Sequence, residues 1–360
     1  MERRFAVALL SLILIAPAMA RAGDTPAEID QRLGKIEASV AAFEHRFDEL
    51  AKQIDDLLWF ERVGDIAVVD KVRIYGPPPA NQPNPTAIGA GNHVKFYSYL
   101  FTPRADFGNQ KLPLLVLAHG GVHADFTTYH AHIVRELMAQ GYIVVAPDYR
   151  GSTGYGRDLW EKIDYGGREV DDALAARDWA VANHPRVDPD RVGIIGWSHG
   201  GLITLMSLFD HPEAYACGFA GVPVSDLVLR LGYSDQSYRD LFEADYHIGQ
   251  SVGDNLEEYK RRSPVWQVDR LTRPLRIHTN PRDEDVNFIE VERLVQALKA
   301  AGKDFEYQVY DVPGGHSHDR LDTPEAWQAR RDIYNFLARY LKPPSPKISP
   351  GISEDGLAAP

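Results

Sequence analysis

The stretch Val192-Gly-Ile-Ile-Gly-Trp-Ser-His-Gly-Gly201 constrains this chain more than any other. Apolar, β-branched Val192, Ile194 and Ile195 favour a buried strand, and Leu202-Ile-Thr-Leu-Met-Ser-Leu208 favours a helix. Between them Gly196 and Gly200 flank Ser198 in the spacing G-x-S-x-G. A strand reverses into a helix over so few residues only where the neighbours are small, and the serine backbone is then strained with its hydroxyl exposed. So short a pattern recurs by chance, and its strand and helix flanks are what make it specific.

A serine hydroxyl attacks a carbonyl efficiently only if a base takes its proton, and the base needs a carboxylate to hold its tautomer and orientation. In α/β-hydrolases the order along the chain is serine, acid, histidine, each in a loop that follows a strand. After an apolar strand at Leu275–His278 the chain reads Thr-Asn-Pro-Arg-Asp283-Glu-Asp285-Val286. After a second at Tyr307–Val309 it reads Tyr-Asp-Val-Pro-Gly-Gly-His316-Ser-His318. Asp283 and Asp285 both satisfy the order, Asp283 being nearer the strand end where the turn is still tight. His316 follows Gly314 and Gly315, which let the loop bring the ring back to the serine, whereas His318 has no such hinge. The oxyanion hole is expected from the backbone N–H of His199, after the nucleophile, and from the loop His119-Gly120-Gly121 after the strand Leu114–Ala118. His119, His123, His130 and His132 have no carboxylate or cysteine at a recognisable ligand spacing, and the chemistry requires neither metal nor cofactor.

The remaining chain supplies a scaffold for this site. Strands Leu114–Ala118, Tyr142–Ala146 and the Val192 run alternate with helices Tyr129–Gln140 and Glu169–Ala182, and fully apolar strands between amphipathic helices imply a parallel sheet covered on both faces. Strands at Ile66–Ile74 and Val94–Phe101 open the sheet, and strands near Phe219, Leu275 and Tyr307 continue it, with helices Ile289–Ala301 and Pro324–Leu341. The expected class is α/β, an α/β-hydrolase fold with a mostly parallel doubly wound sheet over residues 63–342. Residues 236–262, rich in Tyr, Asp and Glu, break the rhythm and read as a cap or pocket wall over the serine. Residues 343–360 read as a disordered tail.

Ahead of the sheet, residues 23–62 form an amphipathic helix in which Ile29, Leu33, Ile36, Val40, Phe43, Phe47, Leu50, Ile54 and Leu57 are spaced alternately four and three apart. This heptad seam has two readings: a coiled coil that joins a homodimer through residues 24–60, or a long helix that packs the seam on its own catalytic body. Two phenylalanines and Gly34 favour the second, and in either reading the helix is an accessory to the site.

Arg3 and Arg4, the apolar run Phe5–Ala16 and the small residues Ala18-Met-Ala20 form a secretory signal peptide over residues 1–22, which predicts a periplasmic or extracellular protein with no stable membrane insertion after its removal. The apolar run is shorter than the roughly 18 residues of a spanning helix. Cys217 is the only cysteine in the chain, so an oxidising compartment would find no internal disulfide to form. A formal net charge of -12 without a polybasic run excludes nucleic acid and anionic membrane surfaces as partners.

Four stretches resemble the catalytic domain of the prolyl oligopeptidase family of serine peptidases, the group that includes dipeptidyl and acylaminoacyl peptidases. They are His119-Gly-Gly121; Asp148-Tyr-Arg-Gly-Ser-Thr-Gly-Tyr-Gly156; Val187-Asp-Pro-Asp-Arg191 leading into Gly-Trp-Ser-His-Gly-Gly201; and Ser263-Pro264 onward to Asp283-Glu-Asp-Val286. The resemblance runs from about Leu100 to Leu341. It implies that the catalytic acid lies three residues before a valine, which selects Asp283, and that His316 is the base. Family peptidases carry a β-propeller ahead of this domain, whereas about 90 residues separate the leader from Phe107, too few for a propeller of four-stranded blades. A more open site is therefore expected. Where the family places aromatic residues for a proline pocket this chain has Leu227 and Leu229, and the substrate pocket is assigned to Trp197, Val224, Leu227, Tyr233, Tyr238 and Tyr246. The resulting expectation is an exported hydrolase that cleaves peptide or acyl-amide bonds through an acyl-enzyme on Ser198, or a carboxylesterase that uses the same triad on small or carbohydrate-linked esters.

Overall fold

Each strand expected from the sequence becomes a strand of one sheet. The computed structural model describes residues 25–80 and 84–346, so the leader read at residues 1–22 and the tail beyond residue 346 lie outside the described residues. In chain order the main elements are helix α1 (Pro26–Val63), β1 (Ala67–Tyr75), β2 (Lys95–Pro103), β3 (Leu112–Ala118), α2 (Ala131–Gln140), β4 (Ile143–Asp148), α3 (Arg157–Trp160), α4 (Glu169–Asn183), β5 (Val187–Trp197) and α5 (His199–Asp210). They continue with β6 (Cys217–Gly221), α6 (Leu227–Tyr233), α7 (Gln236–Glu243), α8 (Leu256–Arg261), β7 (Leu275–Thr279), α9 (Phe288–Ala300), β8 (Glu306–Val309) and α10 (Pro324–Leu341). The strands form an eight-stranded sheet in the order β1-β2-β4-β3-β5-β6-β7-β8. β1 and β2, and β2 and β4, run antiparallel; the pairings from β4 through β8 are parallel.

β3 and β4 are buried along their whole length, as uninterrupted apolar sequence requires of strands covered on both faces. One face packs against α4, α5 and α9, with Leu114, Val116, Ile194, Leu205 and Leu294 among its fully buried residues; the other packs against α2 and α10, with Leu115, Leu117, Ile195 and Leu337. Cys217 is one of the second set. The parallel strands all point their C-terminal ends to one edge, where Ser198 follows β5, Asp283 follows β7 and His316 follows β8. Within residues 236–262 Phe242 and Tyr259 are fully buried, so this segment is anchored to the main core.

Two expectations are corrected. Residues 343–345 do not belong to a disordered tail: Pro343 is buried, Pro344 lies against Gly141 and the Ser345 N–H donates to the Gln140 carbonyl at 3.1 Å. These apolar rings cover the αL turn that ends α2, which keeps the chain ordered past α10. The second concerns α1. Its start is a capping box, Thr25 with Glu28 and Pro26 at the first helical position. Its seam does not pack on the catalytic body; the opposite face does. The buried residues of α1 are Lys52, Trp59 and Val63. Trp59 stacks on Phe126 at 5.3 Å and 4° and meets Phe101 at 4.9 Å with its ring tilted by 59°.

Lys52 makes α1 more than an accessory. Its Nζ lies 2.8 Å from Asp148 and 2.9 Å from Asp125, and donates to the Phe126 carbonyl at 2.7 Å. Asp148, at the end of β4, also accepts from the Phe126 N–H at 2.6 Å and from the Tyr155 hydroxyl. Burial alone would lower the Lys52 pKa, but Asp148 and Asp125 outweigh it and hold it above the usual lysine value. One helix thereby ties together the loop that follows β3 and the loop that follows β4. Removing the ammonium leaves buried Asp148 without its counter-charge, a change that costs about 3–5 kcal/mol. Urea unfolding of Lys52→Met should show a loss of that size, against less than about 0.5 kcal/mol for Lys35→Met on the exposed part of the same helix.

Candidate active site

Ser198 sits at φ 58° and ψ -120°, between the last residue of β5 and the first of α5. A non-glycine residue holds that conformation at a cost of about 1–3 kcal/mol, which the surrounding backbone must offset. It does so by contact. A Cβ on Gly196 would lie 2.2 Å from the Gly200 carbonyl oxygen, and one on Gly200 would lie 2.1 Å from that of Ala118. The Ser198 N–H donates to the Gly221 carbonyl at 3.0 Å, and its own carbonyl accepts from Val224 at 3.1 Å. The side chain at the apex is 6% exposed.

Beside it lies the loop after β3. A Cβ on Gly120 would stand 3.3 Å from Ser198 Cβ and 3.9 Å from its Oγ, so a side chain there would crowd the nucleophile. Gly121 has φ +87° and turns the loop away. The backbone N–H groups of Gly120, Gly121 and His199 donate to no other group among the described residues; His199 opens α5, whose first N–H groups have no helical partner. They are available to an oxyanion. The His119 ring is not. It stacks on Tyr149 at 4.2 Å, its Nε2 lies 3.0 Å from Ser152 Oγ, and it is 2% exposed. Burial keeps it neutral by lowering its pKa, so its side chain is a packing element and only its backbone borders the nucleophile. His123 stacks on Trp160 at 3.7 Å and His130 on Phe126 at 4.9 Å, each in its own surroundings.

His316 Nδ1 lies 2.8 Å and 3.0 Å from the two oxygens of Asp283. Asp283 Oδ1 also accepts the N–H groups of Asp285 and Val286, both at 2.8 Å, which hold the carboxylate toward the ring. Its side chain is fully buried, while that of Asp285 is half exposed and bound by Arg230 at 2.7 Å. Gly314 at φ +105° and Gly315 at φ +48° make the bend that carries His316, and a Cβ on Gly315 would strike Glu284. His316 Nε2 has Asp285 Oδ2 at 3.7 Å and makes no hydrogen bond to Ser198 Oγ in this structure. Such a contact commonly tightens when substrate arrives.

Of the pocket assignments, Tyr233 is 39% exposed, with its hydroxyl on Glu290 at 2.6 Å, and Tyr238 receives Arg230 Nε at 2.8 Å. Tyr246 lies against Trp160 at 5.2 Å. Trp197, Val224 and Leu227 are corrected: at 2%, 0% and 0% exposure they are core residues with no surface to offer a substrate. The Trp197 ring points behind the elbow, where its Nε1–H donates to Asp319 at 2.9 Å.

That contact belongs to a buried network that the sequence pattern did not reveal. Asp319, three residues after His316, is fully buried; burial alone would raise its carboxyl, but His318, His278 and Arg320 together hold it well below the usual range. It joins the elbow, through Trp197, to the base loop, and reaches toward the acid-bearing strand at His278 Nδ1, 3.7 Å away. His278, His318 and Asp319 are ligand-type side chains, yet Arg276 Nε donates to His278 Nε2 at 2.7 Å, which leaves the ring proton on the nitrogen that faces Asp319. In that protonation state the trio packs as a buried polar cluster, with the proton on His278 Nδ1 facing the Asp319 carboxylate at 3.7 Å.

A second unforeseen pair supports the oxyanion side. The His199 ring stacks on Tyr165 at 3.7 Å, its Nδ1–H donates to the Gly121 carbonyl at 2.8 Å, and its Nε2 lies 3.1 Å from Glu169 Oε1. Burial raises Glu169 to about 8 and lowers His199 to about 3, so at neutral pH this is a neutral O–H···N hydrogen bond rather than an ion pair. Lone buried carboxylates have no periodicity or motif by which to be recognised in a sequence.

The model for the prolyl oligopeptidase family matches residues 128–344, more than half of the chain. The chain belongs to that family. It is 30% identical over 270 residues to dipeptidyl aminopeptidase BIII of Pseudoxanthomonas mexicana, covering 71% of this chain and 38% of that protein. It is 27% identical over 256 residues to the human acylamino-acid-releasing enzyme, covering 70% of this chain and 33% of that protein. The chain thus spans about a third of the length of these curated relatives. Among solved structures, acylaminoacyl peptidase of Pyrococcus horikoshii superposes with a TM-score of 0.63 at 20% identity, over 82% of this chain and 44% of that one, a likeness of fold. Helix α1 and the loop His119–Gly121 fall before the matched residues, so their place in the site rests on the geometry above.

The neutral Glu169 gives a pH signature. Unfolded, it releases its proton near 4.5; folded, it holds it to about 8, so between those values the folded state binds more protons and stability falls as pH rises. His199 acts oppositely and earlier, adding stability from about 3 up to 6.5. Between pH 4.5 and about 8 the thermal midpoint of wild type should decline relative to Glu169→Gln, by the equivalent of roughly a few kcal/mol in total. Parallel midpoints in the two proteins would mean that the carboxyl is already ionised.

Proposed function

We propose that this member of the prolyl oligopeptidase family is an exported serine hydrolase that cleaves peptide or acyl-amide bonds through an acyl-enzyme on Ser198. The observation that carries the reading is the strained serine standing against Gly120, with a histidine already paired to a buried carboxylate one loop away. In the first step Ser198 Oγ bonds to the carbonyl carbon while its proton passes to His316 Nε2. The carbonyl oxygen becomes an oxyanion facing the free N–H groups of Gly120 or Gly121 and of His199, a contribution of about 3–4 kcal/mol for each effective donor. Collapse expels the amine, which takes the proton from His316, and water then repeats the sequence to release the acid. Asp283 holds Nδ1–H and stabilises the imidazolium between the two transfers.

The names of the relatives support amide bonds in peptides as substrates, and the leader pattern Arg3-Arg4, Phe5–Ala16 and Ala18-Met-Ala20 supports export. No helix among the described residues is long and apolar enough to cross a membrane.

Purified protein treated with a fluorophosphonate should carry the adduct on Ser198. Turnover should fall about 10⁶-fold in Ser198→Ala and about 10⁴-fold in Asp283→Asn, while Asp285→Asn keeps the triad. Labelling that persists in Ser198→Ala would remove the nucleophile assignment. Matched ester and peptide-anilide panels separate the two chemistries: ester hydrolysis without anilide hydrolysis assigns a carboxylesterase on the same triad. Amino-terminal sequencing of the protein recovered from cell fractions should begin between residues 21 and 23 outside the cytoplasm, and a chain that retains Met1 in the cytosol would count against export.

A further inference from the structure

Helix α1 presents more apolar surface than its own catalytic body covers. Residues seven apart, His45, Lys52 and Trp59, face that body: His45 meets Trp160 edge-on at 5.5 Å, Lys52 enters the Asp125–Asp148 cluster and Trp59 is fully buried. Asp55 and Asp56, beside them, bind Thr128 and Lys71. In heptad notation these three are f positions. The seam Leu33, Val40, Phe47 and Ile54 then falls at a, and Ile29, Ile36, Phe43, Leu50 and Leu57 fall at d, on the opposite side of the helix. Leu33, Phe43, Phe47, Leu50, Ile54 and Leu57 keep between 46% and 71% of their surface in water. We propose that this seam joins two copies of the chain in a parallel two-stranded coiled coil.

Three observations choose that occupant. First, the 4-3 spacing persists for four heptads; a surface helix that packs on a globular body follows the 3.6-residue period, and a strict 3.5-residue seam matches a supercoiled helix of the same kind. Second, the flanking charges are sorted. The g positions are Arg32, Ser39, Arg46 and Gln53, and the e positions are Asp30, Glu37, Glu44 and Ala51. In a parallel pair each g faces the e five residues on in the other copy, so Arg32 meets Glu37, Ser39 meets Glu44 and Arg46 meets Ala51, with no like charges opposed. An antiparallel pair would set e against e and g against g, acids beside acids and arginines beside arginines. Third, the f face that holds the catalytic body lies opposite the seam, so the two bodies stand outside the pair and leave it clear. Lys52, captured between two carboxylates, sets the roll of the helix that keeps the seam outward.

The proposal is tested on the full chain. Light scattering at tens of micromolar should give twice the chain mass for wild type and the single-chain mass for the double variant Phe47→Glu, Leu50→Glu, with unchanged helix content by circular dichroism and unchanged labelling of Ser198. Both positions are about half exposed, so the monomer tolerates the charge, and Leu57→Glu provides an independent variant at 71% exposure. Orientation is read from Leu33→Cys. In a parallel pair the two copies of that position are adjacent and oxidise to a covalent dimer, whereas an antiparallel pair centred near Phe43 separates them by about 30 Å. The native thiol, Cys217, is buried and does not compete. A wild-type monomer, including one that instead adsorbs to phosphatidylglycerol vesicles, overturns the proposal, as does a dimer that survives both charge variants. A dimer that Leu33→Cys does not cross-link overturns the parallel arrangement.

Discussion

The site depends on how closely four stretches of backbone approach one another around Ser198. Gly196 and Gly200 touch across the elbow, Gly200 lies against the carbonyl of Ala118, Gly120 lies against Ser198, and Gly201 packs on Pro223. These contacts join the ends of β3 and β5 and the loop after β6; a Cβ at Gly196, Gly200 or Gly201 would require backbone movement, and one at Gly120 would press on Trp197 and Ser198. They over-determine the serine, so that its unfavourable φ persists and its hydroxyl is aimed where N–H groups with no partner among the described residues can receive the charge that develops. Sheet order supplies the rest. With β5, β6, β7 and β8 adjacent and parallel, the loops that bear nucleophile, acid and base emerge at one edge.

Around this backbone framework the fold places buried charge and buried neutral acid for different purposes. Lys52 with Asp148 and Asp125, and Arg150 with Asp172 at 2.7 Å, are paired charges that lock the loops after β3 and β4. Asp319 remains ionised because cationic and hydrogen-bonding neighbours on three elements outweigh burial, and it ties the nucleophile loop to the base loop through Trp197. Glu169 has no such cation within its first contacts and is neutral, which suits it to donate to His199 and so hold the ring that fixes the carbonyl of Gly121. The same residue type thus takes opposite protonation states according to what lies within a few ångströms of it.

Helix α1 links these arrangements to the surface. Its f face is part of the catalytic body, because Lys52 contributes a charge the active-site loops need, and its seam is left bare. Had the seam packed inward, the lysine would have pointed to water and the Asp148 cluster would lack its cation.

Sequence alone determined the local and periodic features. The strand-turn-helix at Ser198, the order serine, acid, base, the alternation of apolar strands with helices and the heptad spacing of α1 are all written in short windows, because each depends on backbone geometry that a few neighbouring residues dictate. The choice of Asp283 over Asp285 was legible from the strand end and, through the family resemblance, from the following valine, and in the structure it is Asp283 that holds His316 Nδ1. Tertiary structure alone decided which face of α1 packs, that Trp197, Val224 and Leu227 turn into the core, that the His119 ring leaves the oxyanion loop, and that Asp319, Glu169 and Lys52 support the site. Those outcomes turn on partners 30 to 122 positions away, such as Glu169 for His199 and Asp319 for Trp197, and no local window contains both members of such a pair. Burial and electrostatics are properties of the assembled neighbourhood, and the neighbourhood exists only once the sheet has closed around the elbow.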